Sequence, residues 1–289
     1  MRLGAFPVFS ELEPAQLAPL ADLTRERFYR AGATVQARGV PPREIHYVIE
    51  GEVEIRPDGG PPTRLGPLAV VNRLSALAGV GRTDDVVAVA DTVTLSFTRD
   101  DQEDVFEEHF EILARVMREV AGAYLDAWRA APDHVAGEPA DGSIPDHLGL
   151  VAKIAALRAA RLFDESPLEA LAELARESPE VRYPAGKRLW SAGDAAGWSL
   201  AIVSGRVAGT VEGASEALGF GPASIPGLLD GMAGRARWFD AETETPIVGL
   251  RIDGGGLLDL LEDHADMSLQ LMRSLSREVI TLRAAAAAA

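Results

Sequence analysis

The sequence contains no cysteine, which excludes disulfide bonds, thiolate catalysis and cysteine-based zinc sites. No two of its five histidines have the spacing of metal ligands, and no metal site is expected. Acidic runs, such as residues 100–104, begin or flank predicted helices, where carboxylates complement the helix dipole. We interpret these runs as solvated helix starts.

Basic side chains are scarce, with 28 Lys and Arg against 44 Asp and Glu and a formal net charge of −16. Divided after residue 130, the chain carries −7 in its first part and −9 in its second. Affinity for duplex DNA depends on cationic side chains that neutralise phosphates. Neither half is therefore expected to bind DNA, and an acidic surface also disfavours anionic lipid.

Long apolar runs are missing as well. No stretch of 18 apolar residues occurs, so no membrane-spanning helix is expected. No apolar run follows residues 1–4, which argues against a signal peptide. The sequence predicts a cytoplasmic protein that does not insert into a membrane.

Motifs of catalysis are not found. The chain has no glycine-rich phosphate loop ending in Lys-Ser/Thr and no nucleophile-elbow serine. The glycine run 254–256 stands alone before a predicted helix and is interpreted as a turn. No catalytic residue can be nominated, and the protein is predicted not to be an enzyme.

The sequence does contain an internal duplication. Three pairs of glycines lie 154 residues apart: Gly32 and Gly186, Gly39 and Gly193, and Gly51 and Gly205. Their neighbours agree too, since Tyr-Arg-Ala-Gly at 29–32 matches Tyr-Pro-Ala-Gly at 183–186. The duplication predicts one domain at residues 1–130 and another at 148–289. Residues 131–147, rich in proline, glycine and acid, are predicted to be a linker.

The sequence of each copy predicts a helix, a series of short strands and a closing helix. Residues 45–55 show broken alternation of apolar side chains, and residues 86–97 are rich in β-branched ones, which is typical of antiparallel sheet. The repeated glycines suit tight corners that need positive φ or close backbone approach. We therefore predict an α+β chain of two antiparallel β-roll (jelly-roll) domains, each flanked by helices.

The closing helices each carry one apolar seam. In residues 101–130 and again in 267–282, large apolar side chains recur at intervals of three or four. Such a seam either packs on its own β-roll or pairs with another helix, as in a coiled-coil homodimer. The alanines 284–289 favour helix.

The order of elements and the glycine-punctuated stretch 29–55 resemble the cyclic-nucleotide-binding domain family. The resemblance covers about residues 6–128 and 160–283, and tandem placement is similar to the regulatory subunit of cAMP-dependent protein kinase. Transcription factors of the family carry a helix-turn-helix after the long helix. Here only alanines follow residue 283, so no such DNA-reading domain is expected.

The resemblance implies a binding pocket built around a short helix. Its N-terminal amides face the cyclic phosphate, a Gly permits close approach, a Glu accepts from the ribose and an Arg pairs with the phosphate. The candidate binding residues that occupy these positions are Asn72, Arg73, Arg82 and Thr83 in the first copy, and Gly227, Leu228 and Arg235 in the second, with Arg237 as an alternative to Arg235.

Both pockets keep an arginine and lose the glutamate, since Arg73 and Leu228 stand at the Glu position. An unmet buried hydroxyl costs about 1–3 kcal/mol. Arg73 is expected either to pair with Asp84 or Asp85 or to face a more anionic ligand. The alternative interpretation of the two arginines at the phosphate position is that they are solvated or salt-bridged surface residues and bind no ligand.

The sequence therefore predicts a non-catalytic regulatory adaptor or scaffold with degenerate pockets, which acts through a protein partner. The alternative is a small-molecule sensor that binds a cyclic nucleotide or a related anionic nucleotide in the first copy. A cyclic nucleotide is the cofactor that the resemblance implies.

Overall fold

The computed structural model describes residues 2–57, 60–82, 84–130, 146–213 and 217–288. Thr83 and most of the predicted linker lie outside these ranges. The chain divides into two compact units, Met1–Val116 and Met117–Ala289. The division falls inside a long helix, so residues 117–130, which the sequence assigns to the first domain, group with the second unit.

Short antiparallel strands form the β-roll of the first copy. Its described strands are β1 (Arg25–Tyr29), β2 (Thr34–Gln36), β3 (Glu44–Glu50), β4 (Val53–Pro57), β5 (Thr63–Leu65), β6 (Val70–Val71), β7 (Asp84–Ala88) and β8 (Thr92–Thr98). They pair in two sheets, with the orders β1-β8-β3-β6 and β2-β7-β4-β5.

The second copy repeats this arrangement. Its described strands are β9 (Glu180–Tyr183), β10 (Arg188–Trp190), β11 (Trp198–Ser204), β12 (Val207–Thr210), β13 (Leu218–Phe220), β14 (Asp240–Thr243) and β15 (Ile247–Asp253). Their sheet orders are β11-β15-β9 and β10-β14-β12-β13.

Helices precede, interrupt and follow each set of strands. In chain order they are α1 (Pro14–Leu23), α2 (Arg73–Ala78), α3 (Arg99–Glu108), α4 (Phe110–Ala130), α5 (Leu150–Ala159), α6 (Leu168–Glu177), α7 (Leu228–Met232), α8 (Gly254–Asp263) and α9 (Ala265–Ala288), after 3-10 turns at Arg2–Ala5 and Pro7–Phe9. The closing helix breaks at His109 in one copy and at His264 in the other, where the backbone leaves the helical region.

The repeated glycines occupy equivalent corners, which confirms the tandem prediction. Gly51 and Gly205 both have positive φ, and each lies against a backbone carbonyl too closely for a Cβ. The amides of Gly32 and Gly186 each donate at 2.7 Å to the carbonyl of the last residue of the penultimate strand, Ala88 on β7 and Thr243 on β14. The α+β fold with antiparallel sheets is therefore as predicted.

Two local differences separate the copies. The partners Val53 and Leu65 on β4 and β5 are 12 positions apart, whereas Val207 and Phe220 on β12 and β13 are 13 apart. The repeat offset therefore changes from 154 to 155 after this hairpin. In addition, Pro226 stands at the position equivalent to Val71 of β6 in the first copy. Proline has no N–H for a ladder hydrogen bond.

The apolar seams of the closing helices are buried within the chain. Leu113, Met117 and Val120 on α4 and Leu271 and Leu275 on α9 are almost inaccessible. Packing against the chain's own elements therefore accounts for the seams. A homodimer through these helices remains a prediction. No helix among the described residues is long and apolar enough to cross a membrane.

Candidate ligand-binding sites in the two copies

Asn72 immediately precedes the short helix α2 of the first copy and has a left-handed backbone with φ 73°. Left-handed backbone favours glycine, and asparagine tolerates it better than most other residues. Local hydrogen bonds hold the buried Asn72 side chain, because its Nδ2 donates to the Glu44 carbonyl at 3.2 Å. Asn72 thus occupies the predicted corner, where it braces the start of the helix.

Arg82 lies beside this corner and is bound by a carboxylate of its own copy. Its Nε donates to Asp84 Oδ1 at 2.6 Å, and its Nη1 makes a longer contact of 3.5 Å with Asn72 Oδ1. The side chains of Arg82 and Asp84 are 12% and 19% exposed. Asn72 and Arg82 are therefore brought together, but with an internal anion on the arginine.

The remaining candidates of the first copy are placed as follows. Arg73 is the first residue of α2 and is half-buried. Asp84 is engaged by Arg82, and Asp85 accepts from the backbone amide of Arg38 at 2.8 Å. The two acids proposed for Arg73 thus have other partners in the structure.

In the second copy, Gly227 begins α7 with φ 84°, the counterpart of Asn72. A Cβ at this glycine would overlap the Arg237 guanidinium. Arg237 Nη1 donates to the Gly227 carbonyl at 2.8 Å, and its Nη2 donates to the Trp198 carbonyl. Glycine is therefore required here by both backbone conformation and space.

Arg237, and not Arg235, is the structural equivalent of Arg82. The carbonyl of Arg82 accepts from Gly39 at 2.8 Å, and the carbonyl of Arg237 accepts from Gly193 at the same distance. Arg235 instead forms an ion pair with Asp126 near the surface of the second unit. The assignment from sequence missed the longer hairpin, which shifts the equivalent arginine to an offset of 155.

A buried carboxylate, Asp230, faces Arg237. Their side chains are 2% and 0% exposed, and Arg237 Nη1 contacts Asp230 Oδ2 at 3.5 Å. Burial raises the pKa of Asp230 to about 6, although the charge of Arg237 acts in the opposite direction. The guanidinium also lies 4.3 Å from the centre of the Trp190 ring. This copy therefore holds its arginine with an internal anion, two carbonyls and an aromatic face.

Sequence reasoning missed Asp230 and the aromatic residues around it. Ser75 holds the same place on α2 that Asp230 holds on α7, so an alignment with the correct offset shows a small residue replaced by an acid. Among the described residues, no group of three or more His, Asp or Glu side chains is arranged to hold a metal ion.

A protein-family model described as cyclic nucleotide-binding domain matches residues 26–109. A cyclic nucleotide-gated potassium channel of Mesorhizobium japonicum is 33% identical over 93 residues, which are 32% of this chain and 25% of the channel. The chain thus spans about a quarter of the length of that relative.

Solved structures with similar outlines include the regulatory domain of Toxoplasma gondii PKA with cAMP, at 12% identity and a TM-score of 0.35 over 92% of this chain and 91% of that one. Another is the N-terminal domain of a Streptomyces coelicolor A3(2) transcriptional regulator, at 24% identity and a TM-score of 0.40, which covers 50% of this chain and 100% of that one. Both TM-scores are below 0.5, so the architecture rests on the strand pairing described above. Residues 26–109 of this chain are therefore similar to the cyclic nucleotide-binding domain family.

Proposed function

We propose that this protein is a non-catalytic regulatory adaptor whose two cyclic-nucleotide-binding-type domains have degenerate pockets. The observation that carries the proposal is shared by both copies. The arginine at the phosphate position is bound by a carboxylate of its own chain, Asp84 for Arg82 and Asp230 for Arg237. An incoming cyclic phosphate must therefore compete with an anion that is already in place.

The competition is unequal because the internal carboxylate needs no association from solution. A ligand loses translational and rotational freedom on binding, whereas Asp84 is only two residues from Arg82 in the chain. In the second copy a ligand must also separate a fully buried ion pair, and one charge left behind in an apolar site is strongly unfavourable. Affinity for an anionic nucleotide is reduced in both copies.

The ribose position argues in the same direction. Leu228 is buried at the start of α7 and has no group that can accept a hydrogen bond from a hydroxyl. Arg73 at the equivalent position brings a cation, which only donates. An unsatisfied ribose hydroxyl weakens binding about ten- to a hundredfold.

A protein partner follows from this proposal, since a domain pair that does not respond to a nucleotide passes its signal through contacts. Exposed large apolar side chains suited to such contacts include Phe28 on β1, Val40 and, on α5, Val151. We further propose that the protein acts in the cytoplasm and without DNA.

Calorimetric titration of the full chain with cyclic mono- and dinucleotides tests the proposal. We expect no heat of binding for cAMP or cGMP at about 100 μM, and the same result for Arg82→Ala. Arg56→Ala is a matched control, because Arg56 pairs with Glu54 on β4 away from the α2 corner. Micromolar binding that Arg82→Ala abolishes and Arg56→Ala preserves would reject the degenerate-pocket proposal for the first copy.

A second candidate, a sensor of an anionic nucleotide in the first copy, is favoured by one observation. The Arg82–Asp84 pair is partly exposed, whereas the Arg237–Asp230 pair is buried. A phosphate that brings more than one negative charge could displace Asp84 and use Arg73 as a second cation. Binding of a cyclic dinucleotide, but not of cAMP, in the same titration would support this candidate.

A further inference from the structure

Helix α5 of the second unit is apolar on all sides but is not enclosed by other elements. All of its residues except Lys153 and Arg158 are apolar, yet among the described residues of this helix only Leu157 is buried. Val151 is 81% exposed. A helix that is apolar all round is normally buried. The uncovered side of α5 therefore has the composition of an interface.

The orientation of α5 is fixed by hydrogen bonds within the second unit. Lys153 Nζ donates to the carbonyls of Ala175 and Ser178 at the end of α6, at 3.3 and 2.8 Å. Arg158 Nη2 donates to the Ser166 carbonyl at 2.9 Å. These bonds hold the rotation of α5 about its own axis, so the same residues always face outward.

The outward-facing residues form one continuous stripe. Val151, Ile154, Ala155 and Ala159 recur at the intervals that place side chains on one face of a helix. Val151 and the two alanines are exposed, and Ile154 is half-buried. Large side chains next to alanines form the ridges and grooves into which a second helix packs closely. The stripe thus fits another helix.

The charge around the stripe differs from that of the rest of the chain. The chain carries a net charge of −16, but residues 147–163 contain no Asp or Glu and hold three cationic side chains. Lys153 and Arg158 already donate to carbonyls, whereas the Arg161 side chain is 80% exposed and contacts Glu278 at 3.5 Å. High net charge keeps copies of a chain apart. Self-association is least opposed where acids are missing.

The two ends of this segment are complementary in charge. Asp146 is exposed and comes directly before it, whereas Arg161 follows α5. Each lies about two helical turns from the middle of the stripe, in opposite directions. When two copies of α5 pair antiparallel, the acidic end of one meets the cationic end of the other, and opposite ends of the helix dipoles lie side by side.

We propose that α5 is a homodimer interface, in which two copies of the chain pair through antiparallel α5 helices about a two-fold axis near Ile154 and Ala155. Ile154 of each copy would pack on Ala155 of the other, and Arg161 of each would face Asp146 of the other. Two helices of this length bury an area at the low end of specific interfaces, so a dissociation constant of about 10–100 μM is expected. The proposal uses a surface other than the closing helices and stands whether or not either pocket binds a nucleotide.

Sedimentation equilibrium of the full chain from about 1 to about 300 μM tests the proposal. We expect a monomer at the lowest concentration and mostly dimer at the highest. Val151→Asp puts a charge into the stripe and should weaken dimerisation at least about tenfold. Val40→Asp is the matched control, because it makes the same change at an exposed valine of the first unit, and should leave dimerisation unchanged. A monomer throughout, or equal effects of the two variants, would overturn the proposal.

A charge exchange tests whether the occupant is a second copy in this arrangement. Asp146→Arg and Arg161→Asp should each weaken the dimer several-fold, and the double variant should restore it, because the two residues face each other across the axis. Loss without restoration would overturn the antiparallel pairing. A monomeric chain that binds phosphatidylglycerol vesicles through Val151 would overturn the proposal in favour of a lipid surface. If a variant fails to melt cooperatively, the concentration series of the unaltered chain decides.

Discussion

The two copies neutralise the arginine at their phosphate positions in different ways. In the first copy Arg82 is paired with a carboxylate two residues away, and water reaches both side chains. In the second copy Arg237 is enclosed with Asp230, which comes from the short helix α7. The first arrangement is local and partly solvated, whereas the second belongs to the core of the β-roll.

This difference shows what each arginine contributes to its domain. A partly exposed ion pair contributes little to folding, because solvent screens it and its side chains lose entropy when they are held together. A buried charge whose partner is removed is strongly destabilising. The arginine of the first copy is therefore expected to contribute less to stability than that of the second copy, whose ion pair is fully buried.

The largest effect is expected from removal of the buried arginine of the second copy. Arg237→Ala leaves Asp230 buried without its counter-ion and should lower the free energy of unfolding of the second copy by about 3–5 kcal/mol. Arg82→Ala should cost about 1 kcal/mol or less. Urea unfolding measures both costs: tryptophan fluorescence reports on the second unit, which contains all four tryptophans, Trp128, Trp190, Trp198 and Trp238, and far-UV circular dichroism of the whole chain also reports on the first unit. Equal costs for the two variants would contradict the comparison.

A somewhat smaller effect is expected at the glycine that faces Arg237. Gly227→Ala introduces both a strained left-handed alanine and an overlap with the guanidinium, so a loss of about 2–4 kcal/mol is expected. Gly193→Ala is the control, because Gly193 has a similar φ of 88° with nothing near its Cβ. It should lose about 1 kcal/mol. Urea denaturation of both variants measures the difference, and similar losses would show that backbone strain alone requires glycine at 227.

The smallest single effects are expected in the response to acid. Burial lowers the pKa of His46 in the first copy to about 4, so its stability contribution is lost as pH falls from 6.5. Burial raises the pKa of Asp230 to about 6, so the folded second copy takes up a proton and gains stability as pH falls through 6. Between pH 6.5 and 4 each effect is about 2–3 kcal/mol and the two have opposite signs.

Variants isolate these two groups. His46→Gln should flatten the acid-induced loss of stability of the first copy, and Asp230→Asn should remove the acid-induced gain of the second. Urea unfolding at pH 6.5 and 4.5, followed by far-UV circular dichroism for the whole chain and by tryptophan fluorescence for the second unit, measures both. A pH slope that is unchanged in Asp230→Asn would show that this carboxyl group is ionised throughout.

The duplication and the fold class could be predicted from the sequence because glycine corners need positive φ and leave a trace at a fixed offset. Gly32 and Gly186 show this directly. The second site could not be aligned in the same way. One additional position in the hairpin between β12 and β13 moves the equivalent arginine to Arg237, and Arg235 then falls on a surface pair with Asp126. A single sequence does not show on which side of a loop an extra residue belongs.

The internal anions were also beyond the reach of sequence reasoning. Asp84 and Asp85 are adjacent acids, and only the alternation of side chains along β7 decides that one binds Arg82 and the other the amide of Arg38. Asp230 lies on a five-residue helix, where the pattern gives no sign of burial. The contact with Arg237 depends on tertiary packing.

The central claim is that an internal carboxylate occupies the place of a cyclic phosphate, and releasing the first arginine tests it most directly. Calorimetric titration with cAMP should be carried out on the unaltered chain and on Asp84→Ala, with Asp85→Ala as the control because Asp85 does not bind the Arg82 side chain. We predict that Asp84→Ala binds cAMP at least about tenfold more tightly than the unaltered chain, and that Asp85→Ala does not. Micromolar binding of cAMP by the unaltered chain, with no gain in Asp84→Ala, would contradict the account.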